Sequence, residues 1–82
     1  MEKSIHSREF AQLRGLLRQL RLKAGLKQAD LARKLRKPQS FVSNYERGER
    51  HLDLLELRQV CNALGVGMVD FVKRFEHRGG EK

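Results

Sequence analysis

Gly25, Pro38, Gly48 and Gly65 divide this chain at short intervals. Each suits the end of a helix better than its interior: glycine closes helices in the left-handed conformation, and proline starts them because its φ is fixed and it has no N–H to pair. Between these breaks there is no strand-like alternation of Val, Ile or Thr. Leu, Arg, Lys, Glu, Gln and Ala dominate, and all are good helix formers. A chain punctuated in this way can only fold as a cluster of short helices that hold one another up, because an isolated short helix is marginal in water. At 82 residues it makes one small domain. Such a domain buries a modest core, so association of two copies would help it.

Apolar residues spaced three and four apart predict five helices. The first runs from Phe10 to Ala24 with Phe10, Leu13, Leu17, Leu20 and Ala24 on one face and Arg14, Arg18 and Arg21 off it. The second covers Gln28 to Leu35 with Ala29, Leu31, Ala32 and Leu35 as its apolar set. The third, Gln39 to Arg47, follows Pro38 and turns Val42 and Tyr45 inward. The fourth opens on a capping-box pattern, Asp53 with Glu56 three residues on, and its inner face is Leu54, Leu57, Val60, Cys61 and Leu64. The fifth runs from about Met68 to Glu76 with Met68, Phe71, Val72 and Phe75 in register. Residues 1–9 are then expected as an N-terminal arm, 10–76 as the domain and 77–82 as a flexible tail.

The charge narrows the partners. Lys and Arg number 18 against 10 Asp and Glu, a net charge of +8, which attracts polyanions and repels other copies of the chain. Nucleic acid and an anionic membrane surface both fit. The first helix is basic and amphipathic, but its apolar face is needed for the core, so no membrane role is expected. No apolar run approaches the roughly 20 residues that span a bilayer, and the polar N-terminus lacks a signal-peptide apolar stretch. The only cysteine, Cys61, cannot form an intramolecular disulfide and belongs to the apolar face of the fourth helix. These features predict a cytoplasmic protein. His6, His51 and His77 are scattered, with no carboxylate or thiol at ligand spacing, so neither a metal nor a cofactor is expected. No nucleophile and base, paired carboxylates or phosphate loop points to an enzyme, and no small-molecule ligand is expected.

The informative block is Gln28 to Gly48. Two short helices are separated by only Arg36, Lys37 and Pro38. The outer face of the second carries Gln39, Ser40, Ser43 and Asn44, which form one continuous stripe on a helix. All four are uncharged hydrogen-bonding side chains, although charges surround them. A solvated face would more often carry Lys and Glu. Amides and hydroxyls are what reading a base edge requires, since Gln and Asn pair bidentately with adenine.

Two runs carry a family likeness: Leu22-Lys23-Ala24-Gly25-Leu26-Lys27-Gln28-Ala29-Asp30-Leu31-Ala32 and Gln39-Ser40-Phe41-Val42-Ser43-Asn44-Tyr45-Glu46-Arg47-Gly48-Glu49-Arg50, with Ala63-Leu64-Gly65-Val66 further on. They resemble the phage repressor and Cro-type (Xre-like) helix-turn-helix regulators, and the likeness extends from about Phe10 to Phe75. It implies an all-α, compact five-helix domain of the lambda-repressor-like type, with helix 2 at about 28–35 and the recognition helix at about 39–47. It implies sequence-specific binding of double-stranded DNA by a transcriptional regulator, expected to be a repressor. Gln39, Ser40 and Asn44 would read bases, with Ser43 beside them. Gln28 would bond a phosphate while bracing Gln39, and Lys27, Arg47 and Arg50 would contact phosphates. Arg21 and Glu46 match an internal ion pair joining helices 1 and 3.

The chain departs from the family pattern at three positions. Arg36 replaces the usual turn glycine, at a cost of about 1 kcal/mol if its φ is positive. Lys37 stands where Val or Ile is common, and Lys27 where Thr or Ser caps helix 2. Arg36 and Lys37 lie where the DNA backbone should run and would add charge contacts. One helix-turn-helix reads only a few base pairs, so a homodimer on a palindromic operator is expected. Val66, Met68, Val69 and Val72 offer more apolar surface than one face of the core can absorb, which makes them its expected interface. The competing expectation is an antitoxin or adaptor module whose main role is protein binding.

Overall fold

In the computed structural model the backbone is described for residues 2–80 and the side chains for residues 8–77. Five helices follow one another: α1 Glu2–Lys23, α2 Gln28–Leu35, α3 Gln39–Arg47, α4 Leu54–Leu64 and α5 Met68–Gly80. There is no strand among the described residues. Leu16, Leu17 and Leu20 of α1, Leu31 and Ala32 of α2, Phe41, Val42 and Tyr45 of α3, Val60, Cys61 and Leu64 of α4 and Phe71 of α5 meet in one core. Every helix contributes to it, which is why no helix needs to be stable alone.

The helix ends follow local chemistry. At the start of α4 the Glu56 N–H donates to Asp53 Oδ1 at 2.7 Å and the Asp53 N–H to Glu56 Oε1 at 3.0 Å, the expected capping box. At α2 only half of such a box forms. The Lys27 N–H donates to Asp30 Oδ2 at 2.9 Å, but an ammonium has no lone pair with which to accept in return. Arg36 ends α2 at φ 58°, ψ 44°, the left-handed conformation. The Lys37 N–H then reaches the Ala32 carbonyl at 3.0 Å and turns the chain into α3.

Several expectations need correction. Residues 2–9 are not an arm: α1 begins at Glu2. No Gly or Pro interrupts this stretch, so the helix continues past the point where apolar periodicity begins. At the other end α5 runs on into Gly79 and Gly80, taking in most of the expected tail; residues 1, 81 and 82 lie outside the described residues. Leu16 and Phe41 are buried although the patterns left them out, and Ala24 is exposed. Leu54 is 70% exposed, because it is the first residue of α4 and overhangs the core that Leu57, Val60, Cys61 and Leu64 enter. Val72 is 41% exposed, so the inner face of α5 rests on Phe71 with Met68 and Phe75. Arg21, expected off the apolar face, is buried, because it brings a bonded partner with it.

Candidate nucleic-acid interface

Helix α3 buries Phe41, Val42 and Tyr45. Its opposite side therefore faces out, with Gln39 and Ser40 exposed and Ser43 and Asn44 half-buried. The four stripe residues come together on this face as their spacing requires. Gln28, at the start of α2, lies beside it.

A chain of hydrogen bonds leads from the interior to this face. Arg21 Nε donates to Glu46 Oε2 at 2.7 Å and Arg21 Nη2 to Glu46 Oε1 at 3.0 Å, a bidentate pair in which the two side chains are 7% and 3% exposed. The third Arg21 bond, from Nη1, goes to the Leu26 carbonyl at 2.9 Å, so the α1–α2 turn is tied to the same pair. Gln28 Nε2 donates to Glu46 Oε1 at 2.9 Å, and Gln39 Nε2 donates to Gln28 Oε1 at 3.4 Å. Bonding to Glu46 raises the Arg21 pKa against the opposing effect of burial, so the guanidinium stays charged.

The expected phosphate-binding residues fall into two groups. Lys27, Arg36 and Lys37 are exposed, and among the described residues none of them is in an ion pair. Lys37 Nζ lies 5.3 Å from the Phe41 ring centroid. The other two are engaged within the molecule. Arg47 Nη2 donates to Asn44 Oδ1 at 2.8 Å and to Glu49 Oε1 at 3.0 Å. Arg50 holds Glu56 by two bonds of 3.0 and 2.8 Å, donates to the His51 carbonyl at 3.0 Å and lies over Phe41 at 4.7 Å. Arg50 thus anchors the α3–α4 loop to the start of α4. Its guanidinium and the Asp53 N–H hold the Glu56 carboxyl down to about 2.

Sequence reasoning missed Glu49 and Glu56 as partners of the expected phosphate-binding arginines, and Phe41 as the buried ring beneath Lys37 and Arg50. Phe41 could have been found, because positions 41, 42 and 45 share one helix face. Glu56 could not, because one carboxylate serves both the cap and Arg50, and a cap pattern gives no sign of a second partner. Of the histidines, His51 stacks on Phe10 with ring centroids 4.1 Å apart and His77 is exposed; the His6 side chain lies outside the described residues. Among the described residues no group of His, Cys, Asp and Glu could hold a metal ion, and no helix is long and apolar enough to cross a membrane. Of the expected interface residues, Val66 and Met68 are half-buried while Val69 and Val72 are exposed.

Comparison with known proteins matches this architecture. A family model described as helix-turn-helix matches residues 17–71. No curated protein matches. Among solved structures, an XRE-family like protein from Pseudomonas syringae pv. tomato str. DC3000 is 36% identical, with a TM-score of 0.86 and 94% of each chain covered. The restriction-modification controller protein C.Esp1396I, solved as a tetramer in complex with its natural 35 base-pair operator, is 27% identical with a TM-score of 0.76, covering 82% of this chain and 88% of that one. The clp gene regulator ClgR from C. glutamicum is 28% identical with a TM-score of 0.73, covering 82% of this chain and 86% of its own.

Proposed function

Because the chain belongs to the XRE-type helix-turn-helix family, whose fold is that of DNA-binding regulators, we propose that it is a cytoplasmic transcriptional repressor. It binds a specific duplex sequence with α3 in the major groove. The observation that carries this reading is the outer face of α3. Gln39, Ser40, Ser43 and Asn44 offer uncharged donors and acceptors there, at the depth where base edges present a distinct pattern for each pair. Lys27, Arg36 and Lys37 flank that face and Gln28 stands at the N-terminus of α2, where a phosphate oxygen is favoured. Arg50 lies over the same Phe41 ring as Lys37; with Glu49 and Glu56 as partners, Arg47 and Arg50 contribute to phosphate binding chiefly by reorienting or by placing the loop.

The functional unit in this reading is a homodimer on a palindrome. Two copies related by a dyad place their recognition helices one DNA turn apart, about 34 Å, on successive major grooves. Val69 and Val72 on the outer side of α5 form the interface, with Val66 and Met68, which also pack against the core, at its margin. The operator complex of C.Esp1396I is consistent with assembly on DNA in this fold. Selection from a random duplex library tests the reading. The expected result is an enriched palindrome with half-site centres about ten base pairs apart and a log–log salt slope of about −5 or steeper for its binding. A library that yields no enriched motif, or an affinity independent of salt, overturns it.

A further inference from the structure

The face of α3 is governed by a group that does not belong to it. The Glu46 carboxylate is 3% exposed and accepts two bonds from Arg21 and one from Gln28. An ionised carboxylate only accepts hydrogen bonds, and a guanidinium only donates. With Arg21 paired to it in the interior, Glu46 has no freedom to act as a donor. Gln28 must therefore turn its NH2 toward Glu46 and its carbonyl outward. The outward carbonyl can only accept, so Gln39 must turn its own NH2 toward Gln28, as the 3.4 Å contact records. One N–H of Gln39 is used in this way. Its remaining N–H and its carbonyl oxygen are left for a partner outside the chain.

We propose that Glu46 is a positioning residue for base recognition: acting through Gln28, it sets which way round Gln39 presents its amide and so which base Gln39 prefers. An acceptor beside a donor matches the N6 amino group and N7 of adenine; guanine offers two acceptors on the same edge and leaves the Gln39 oxygen without a partner. Glu46 touches no base. Its effect is the loss of one of the two amide orientations at each of two successive glutamines. The inference rests on the major-groove reading above.

The test compares affinities for duplexes that differ only at the base pair whose preference is lost in Gln39→Ala. The parent protein is expected to prefer adenine over guanine there by about tenfold or more. In Glu46→Gln the amide at position 46 can donate or accept, both glutamines can turn over, and the preference is expected to fall to about threefold or less while other positions keep theirs. The exchanged pair Glu46→Gln with Gln28→Glu rebuilds the polarity by different groups. The amide at 46 accepts from Arg21 and donates to the carboxylate at 28, which accepts from Gln39. The preference is then expected to return even though overall affinity drops from the added negative charge near phosphates. A role in stability alone predicts no such return. Where Glu46→Gln fails to fold, Gln28→Leu cuts the relay and leaves the Arg21 pair intact, and the same flattening is expected. Full preference in Glu46→Gln or in Gln28→Leu, or no recovery in the exchanged pair, overturns the inference. A parent protein without base preference at any position overturns instead the groove reading on which it rests.

Discussion

Removing the Glu46 side chain leaves the Arg21 guanidinium in the interior with the Leu26 carbonyl as its remaining bond. An uncompensated buried charge of this kind costs about 3–5 kcal/mol. Glu46→Ala is therefore expected to lower the thermal midpoint sharply, and a midpoint equal to the parent's would show that water reaches the pair. Glu56 gives a second expectation, in acid. Its carboxyl is held down to about 2 by Arg50 and the Asp53 N–H, below the usual value of about 4.3. A depressed carboxyl contributes stability that is complete above its unfolded value and is lost as pH falls from about 4.3 toward 2. Glu56→Gln should flatten this stretch of an acid melting series, and an unchanged acid limb would count against the pairing. Neither partnership could be derived from spacing alone. Arg21 lies 25 residues from Glu46, and helical periodicity assigns a charged residue to the outside. Only the family resemblance paired them, and it assigned Arg50 to DNA rather than to Glu56.

The helices themselves were more legible, because their ends are written in single residues. Gly25, Gly48 and Gly65 all adopt positive φ, and Asp53 with Glu56 caps α4 as the pattern required. Boundaries failed at the start of α1, where no such residue stands, and at the end of α5, where the helix continues into Gly79 and Gly80 instead of stopping before them; Leu54 failed because periodicity cannot tell where the neighbouring helices stop. The start of α2 is the weakest junction. Lys27 occupies the cap but accepts no bond, so Asp30 completes only one side of the box. Lys27→Ser supplies the missing acceptor and is expected to stabilise the fold by about 0.5–1 kcal/mol. Because it also removes a cation beside the proposed groove contact, it should weaken DNA binding in the same protein. A thermal midpoint that falls, or a DNA affinity that rises, would contradict this account of the junction.

For the molecule as a whole, the five-helix architecture followed from punctuation and apolar spacing because each helix meets the same core. The expectation of pairing rests on surface. Val69 is 69% exposed and Val72 41% exposed, on a protein whose +8 net charge otherwise keeps copies apart. An aspartate on so exposed a side chain should hardly disturb the monomer. Val69→Asp with Val72→Asp is expected to keep the chain folded, with the midpoint lowered only by what pairing contributed, while shifting sedimentation toward a single chain and abolishing cooperative occupation of a palindromic duplex. Dimers that persist in this variant would place the two-fold contact elsewhere.

The lone thiol makes the protein its own clock. Cys61 is fully buried, and burial pushes its thiol up to about 11, so it is both shielded and protonated at neutral pH. A soluble disulfide reagent reacts with thiolate and can reach this one only when α4 swings away from α1, α2 and α5. The rate of labelling then counts large openings, with no background from a second sulfhydryl. A duplex that binds only the closed protein should slow the count by one plus the ratio of its free concentration to its dissociation constant, about a hundredfold at a hundred times that constant. Operator and random DNA could then be ranked by the half-life of a single colour change, without either being labelled. Labelling as fast as that of a free thiol would mean that the centre of the core opens far more readily than its packing implies.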